Sequence, residues 1–348
     1  MLGAVCLRRL FGVATFLFPL SIHAQTKIDN CTYETFELGS GIGETRIHHG
    51  DIAGWFHGTQ GRQGFIRIGY SGKFEFFDVP NDYSLEVMQL SGSRFTLGTI
   101  GDRKHPYRIF VREPGGNISY YLKPDDSSLM VTSRTYRGAI VGSILRRDRP
   151  LGGFIFEADG DRQFRSFYAP QWKNPVQLDY TISNNEGDVA GLASSEDSNQ
   201  PIMGYFRDKE TQWLTLFELP DAGGRQKQWN RNTAVAINDP GTIAGVYTDK
   251  FGKRQEFVRS ASGTITRYPA GDYVQIVSIN NSGDVLFFND LVDEPSSSYV
   301  RHSNGDLTRI IVPSSWKWVQ VRGMDEDGAI TGTYRVGGGS LAFLRTCK

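Results

Sequence analysis

Hydrophobic residues along this chain come in short runs closed by turn residues, and no long segment carries the apolar period of an amphipathic helix. The clearest run is 237–247, Ile-Asn-Asp-Pro-Gly-Thr-Ile-Ala-Gly-Val-Tyr. An Asn/Asp-rich turn closes on glycine, an apolar strand follows, and a second glycine interrupts it. Asn and Asp favour such a turn, and glycine accepts the positive φ that a tight hairpin needs. The pattern predicts strands and little helix.

Glycines four apart recur as Gly50/Gly54, Gly138/Gly142, Gly187/Gly191, Gly241/Gly245 and Gly328/Gly332. Weaker copies run from Arg94 to Gly98 and from Gly283 to Phe287. The seven starts are 42 to 54 residues apart, and a four-stranded propeller blade takes about 40–50 residues. In the fifth unit the strands read as 233–237, 242–248, 254–260 and 263–268. The third strand carries an aromatic at Phe65, Phe154, Tyr205, Phe257 and Phe343, and six units end on Pro80, Pro124, Pro170, Pro220, Pro269 or Pro313. Proline cannot extend a ladder, so it suits the exit of an outer strand. The mid-strand glycine reads as a point where a side chain of the neighbouring blade comes close. The expectation is an all-β, seven-bladed β-propeller with four-stranded blades, a single domain over residues 25–348.

Taken together, the Asn-rich turn, the Gly-x-x-x-Gly strand, the aromatic strand and the terminal proline resemble the bacterial extracellular HAF-repeat proteins. The nearest matches to the namesake tripeptide are Gln63-Gly64-Phe65, Gly152-Gly153-Phe154 and Leu341-Ala342-Phe343. The resemblance implies a secreted, propeller-like repeat protein. It transfers no substrate and no catalytic residue.

Residues 1–24 read as a signal peptide. Arg8 and Arg9 precede an apolar core at 10–20, and Ile22-His23-Ala24 forms a cleavage site before Gln25. That core falls short of the ~20 residues a spanning helix needs. Cleavage leaves Cys31 and Cys347 at opposite ends of the chain. An open ring would expose strand edges, so the two ends must meet. Thr35-Phe36-Glu37-Leu38-Gly39 parallels Leu216-Phe217-Glu218-Leu219-Pro220, the end of an outer strand, while the last unit stops after its third strand, at 341–346. The N-terminal segment therefore supplies the outer strand of blade seven. Aligned on the fifth unit, both cysteines fall on the third-to-fourth turn, where a disulfide is expected to replace the missing connection.

Lysine plus arginine number 38, as do aspartate plus glutamate. No global basic field exists to attract nucleic acid. Asp325-Glu326-Asp327-Gly328 opens like a calcium loop but falls on the hairpin turn of the other units. His48 and His49 sit beside the first repeat turn; neighbours in a strand would point to opposite faces, and a solvated turn is expected in place of a metal site. No Gly-x-Ser-x-Gly, His-Glu-x-x-His or Walker loop is present. The expectation is no metal and no cofactor.

Aromatic residues offer the better lead. Tyr83, Trp172, Trp229, Tyr273, Trp316 and Trp318 all follow the terminal prolines, in the connections from one blade to the next. These connections share a face with the loops between second and third strands. Flat rings on one rim stack on sugars or anchor a peptide, and they also wedge between blades as packing. Trp229 follows the loop segment 223–228 in the longest repeat, so it is expected to be the most exposed. The leading function is non-catalytic binding of an extracellular glycan or protein ligand by a secreted or periplasmic monomer, with no nucleic-acid or membrane partner. The alternatives are a polysaccharide lyase or glycoside hydrolase working at the central funnel, and a structural or adhesive module. Carboxylates, His and Tyr converging at the funnel would favour the enzyme.

Overall fold

A computed structural model describes residues 22–28, 30–59, 61–78, 84–91, 94–101, 108–122, 128–135, 138–145, 152–157, 164–168, 176–195, 197, 199–224, 235–289 and 298–347. Their strands form seven antiparallel sheets, one per predicted unit. Blade one is Ile42–His48, Asp51–Gly58, Gly61–Ile68 and Lys73–Asp78. Blade two is Ser84–Leu90, Thr96–Gly101, Arg108–Arg112 and Ile118–Leu122. Blade three is Ser128–Arg134, Ile140–Leu145, Gly152–Phe156 and Phe164–Phe167. Blade four is Val176–Ser183, Val189–Ser195, Met203–Arg207 and Leu214–Glu218. Blade five is Val235–Ile237, Ile243–Thr248, Arg254–Arg259 and Ile265–Pro269. Blade six is Val274–Ile279, Val285–Asn289, Tyr299–Arg301 and Leu307–Arg309. First strands of successive blades touch, and that of blade seven, Lys317–Met324, touches that of blade one. The ring is closed about an axis lined by first strands.

Blade seven continues through Ile330–Val336 and Gly339–Cys347, then takes its fourth strand, Cys31–Phe36, from the other end of the chain. Cys31 lies directly opposite Cys347, with Cα atoms 4.0 Å apart and the sulfurs bonded. A fifth strand, Ile22–Ile28, pairs outside the fourth. It starts ahead of the cleavage point expected at Gln25, and the sequence pattern gave no sign of it.

From blade two onward the turns from first to second strand have the same cause. In blade five the Gly241 N–H donates to the Asn238 carbonyl at 3.0 Å, and Gly241 takes φ +86°. Arg94 holds the same left-handed position in blade two, at φ +60°, which explains the poor glycine match there. Its guanidinium meets Asp51 of blade one at 2.7 Å.

The mid-strand glycine corrects the expectation. Its close neighbour belongs to its own blade. Gly54, Gly98, Gly142, Gly191, Gly245 and Gly332 lie opposite Phe65, Phe110, Phe154, Tyr205, Phe257 and Phe343 of the third strand. A Cβ at Gly332 would sit 2.6 Å from the Phe343 ring and 2.3 Å from the Gln320 carbonyl, which a bulge in the first strand pushes inward. Blade six has Phe287 in the glycine's place, stacked on Tyr299 at 5.2 Å. Phe110 and Tyr299 thus complete the aromatic series in the two degenerate units.

Among the described residues the apolar core divides into seven clusters, one at each junction between blades. An arginine two places after the aromatic caps most junctions. Arg67, Arg112, Arg207, Arg259 and Arg301 lie over Phe36, Phe77, Phe167, Phe217 and Tyr268, each on the outer strand of the preceding blade. Three of them also find a carboxylate across the junction: Arg67 with Glu34, Arg112 with Glu75 and Arg301 with Glu256.

Candidate ligand-binding face

Strand direction divides the molecule into two faces. First-to-second and third-to-fourth turns emerge on one, here the turn face. Second-to-third loops and the connections between blades emerge on the other, here the loop face.

On the turn face the hairpins are bonded side chain to backbone around the axis. Asn184 donates its amide to the Asn238 carbonyl at 3.1 Å, and Asn238 donates to the Asn280 carbonyl at 2.9 Å. Each amide oxygen closes its own turn, as Asn238 does by accepting the Thr242 N–H at 2.7 Å. Asp325 meets blade one, whose Gly50 presents an N–H, so an acceptor is needed there and aspartate supplies it at 2.8 Å. The Asp325-Glu326-Asp327-Gly328 segment is thus a hairpin turn, its first carboxylate accepting backbone N–H groups on both oxygens. His48 and His49 do not point apart as alternation predicts. A two-residue turn with His49 at φ +46° brings the rings to 4.4 Å. Burial, reinforced by His49, pushes the His48 imidazole down to about 4.

At the axis, blades seven and one contribute an ionic group. The Glu44 carboxylate lies 3.3 Å from Arg46 and 3.6 Å from Arg322. Arg46 also donates to the Met88 and Thr45 carbonyls, both at 2.9 Å. Burial lowers its pKa, Glu44 opposes that, and Arg322 adds to it. Glu44 is therefore held between two guanidinium groups. Among the described residues no three His, Cys, Asp or Glu side chains are grouped to hold a metal.

The loop face separates the predicted aromatics. Trp318 is 57 % exposed and Tyr273 is 52 % exposed. Both stand at the start of a first strand, near the axis, on the adjacent blades seven and six. Trp318 has φ +52°, within an irregularity of pairing between Lys317 and Gln320. A bulky residue with positive φ is strained, and such strain collects at functional positions. The Arg335 guanidinium lies over the indole at 5.9 Å.

Trp316 behaves differently, with 6 % exposure. Its N–H donates to the Pro313 carbonyl in a turn that folds the ring inward. There it stacks on Tyr334 at 3.8 Å and meets Tyr33 edge-on. The packing alternative holds for this ring, which presents no free face in this state. Tyr83, Trp172 and Trp229 lie outside the described residues.

One exposed ring on this face escaped the sequence reading. Phe251 occupies the second-to-third loop of blade five, with Lys250 over it at 5.2 Å. Beside it Asp221 accepts Lys250 at 2.7 Å and Arg267 at 3.0 Å, and these cations lower its pKa. The available signal was an aromatic next to glycine in a turn segment, Phe251-Gly252.

No family model matches the chain, and no curated protein matches its sequence. The HAF-repeat resemblance accordingly gains no support beyond the motifs that carry it. Solved structures do match. A streptogramin B lyase structure superposes with a TM-score of 0.58 at 16% identity, covering 90% of this chain and 97% of that one. The β-propeller domain of the trilobed protease from Pyrococcus furiosus, described as an open velcro topology, gives a TM-score of 0.54 at 10% identity, covering 85% and 99%. Identities this low establish the propeller fold alone.

Proposed function

We propose that the protein binds an extracellular polysaccharide or protein surface on its loop face, without turnover, through Trp318 and Tyr273. Trp318 carries the reading: an exposed indole held out at a strained backbone position is costly unless it meets a partner. Tyr273 on the next blade extends the same rim, and Phe251 stands on the same face. Trp229, Trp172 and Tyr83 belong to this proposal on sequence grounds. The streptogramin B lyase likeness keeps a lyase as the second reading, but the axial carboxylate Glu44 is already paired with Arg46 and Arg322.

The location is proposed as secreted or periplasmic. A disulfide between chain ends belongs to an oxidising compartment, and among the described residues no helix is long and apolar enough to cross a membrane.

A glycan array probed with the oxidised protein, beside a turnover assay on the polymers that bind, tests the reading. Trp318→Ala should weaken binding about tenfold, near 1.4 kcal/mol, with an unchanged melting temperature and no product released. Turnover of a bound polymer would replace the binding reading with the enzyme.

A further inference from the structure

The junctions between blades share one outer-strand position, facing the residue after the third-strand aromatic. Glu34 holds it opposite Leu344, Glu75 opposite Ile66 and Thr266 opposite Val258. At the first two junctions the carboxylate reaches across the groove to Arg67 or Arg112. Between blades five and six no carboxylate holds that position, as is also true where Ser119, Arg165, Thr215 or Thr308 holds it. Arg301 still stacks over Tyr268, at 3.8 Å, but its acid is Glu256, one strand further in. Glu256 is fully buried and takes the Arg301 Nε at 2.8 Å and Nη2 at 2.7 Å. Tyr299 donates its hydroxyl to the other carboxylate oxygen. Arg301 is thereby drawn into the junction, and a cleft of about 280 Å³ lies over it on the turn face.

The lining defines the chemistry. Thr264, Thr266 and Tyr268 alternate along one strand and so face the cleft together. Ser282 and Ser303 oppose them from blade six. The hydroxyls of Thr266, Ser282 and Ser303 make no hydrogen bond within the described residues. No carboxylate lines the space. Its cation Arg301 is matched by Glu256, and the His302 ring lies 3.2 Å from Asp284. An anion would find no uncompensated charge. A neutral ligand with hydroxyls on both faces would find donors and acceptors on both walls, in a space just below the range for drug-sized ligands, about 300–1,000 Å³.

We propose that the cleft between blades five and six binds a single neutral sugar ring. The site lies on the face opposite Trp318 and does not depend on the loop-face reading.

Ligand-observed NMR on the oxidised full chain tests it. The probes are D-glucose, D-galactose, D-mannose, L-fucose and D-xylose by proton saturation transfer, and inorganic phosphate by phosphorus line broadening. At least one sugar should bind in the millimolar range. Thr266→Phe with Ser303→Phe fills the cleft from two exposed positions and should weaken that binding at least about tenfold at an unchanged melting temperature. Trp318→Ala should leave it intact. Three results would overturn the proposal: no sugar binds, binding survives the filled cleft, or phosphate alone binds. Loss of sugar binding in Trp318→Ala but not in the filled variant would move the site to the loop face.

Discussion

At the turn of blade one, His48 shows how a single buried group writes itself into stability. Its ring is half-buried, its Nε2 has no hydrogen-bond partner among the described residues, and His49, Asp51 and Asp239 are the titratable groups around it. The folded chain keeps it neutral down to about 4, whereas the unfolded chain protonates near 6.5. As pH falls through that window the unfolded state gains a proton that the folded state refuses, so stability drains away on the acid side. A fully buried ring would lose about 3 kcal/mol; solvent screens this half-buried one, so the loss is about 1–2 kcal/mol. Urea unfolding across this range should show the wild type losing that much more than His48→Gln. Parallel profiles would mean that the imidazole is solvated. The pair is visible in the sequence but its contact is not, because strand alternation does not apply once a two-residue turn intervenes.

At the scale of the element, the first hairpin of each blade was legible and its partner was not. Asn three residues before glycine is a local signal, and the local turn follows from it. What the amide does next depends on which turn lies beside it, and that is set by the ring. Asn238 uses one side-chain end for its own Thr242 N–H and the other for the Asn280 carbonyl. Asn238→Asp preserves the first bond and turns the second into a carboxylate facing a carbonyl. A buried acceptor left against an acceptor costs about 1–3 kcal/mol. Denaturant unfolding should show that loss. A neutral substitution would mean that the turns are coupled through the backbone alone. The arginine two places after six of the seven aromatics is equally visible as a repeat, yet its role appears only when the preceding blade's outer ring is placed beneath it. The loop-face rings divided for a similar reason. Trp316 and Trp318 are two apart and look alike in sequence, but a turn buries one and a bulge exposes the other.

For the whole molecule, closure was the most legible feature, since a ring leaves its two ends only one place to go. The fifth strand was hidden because Ile22–Ile28 overlaps a leader-like stretch. The bond between Cys31 and Cys347 spans 316 residues, and loop-closure entropy sets its contribution at no more than about 5–6 kcal/mol. Cys31→Ser with Cys347→Ser should lower the melting temperature sharply and make it indifferent to reductant. A double variant as stable as the oxidised parent would show that strand pairing alone closes the ring.

Blade seven is also a statement about time. Its outer strand leaves the ribosome before blades one to six, and its other three strands leave after them. Blades one to six each find all four strands within a short stretch and can pair as they emerge. The Cys31–Phe36 strand can pair with Ile22–Ile28 on one side, but its inner edge has no partner until Gly339–Cys347 has been made. Throughout synthesis it travels as an unpaired edge, the kind of surface on which chains stick to one another. Its thiol, too, must stay unspent until Cys347 arrives, 316 residues later. Oxidation of this pair therefore has to wait for the last strand of the ring and then occur once.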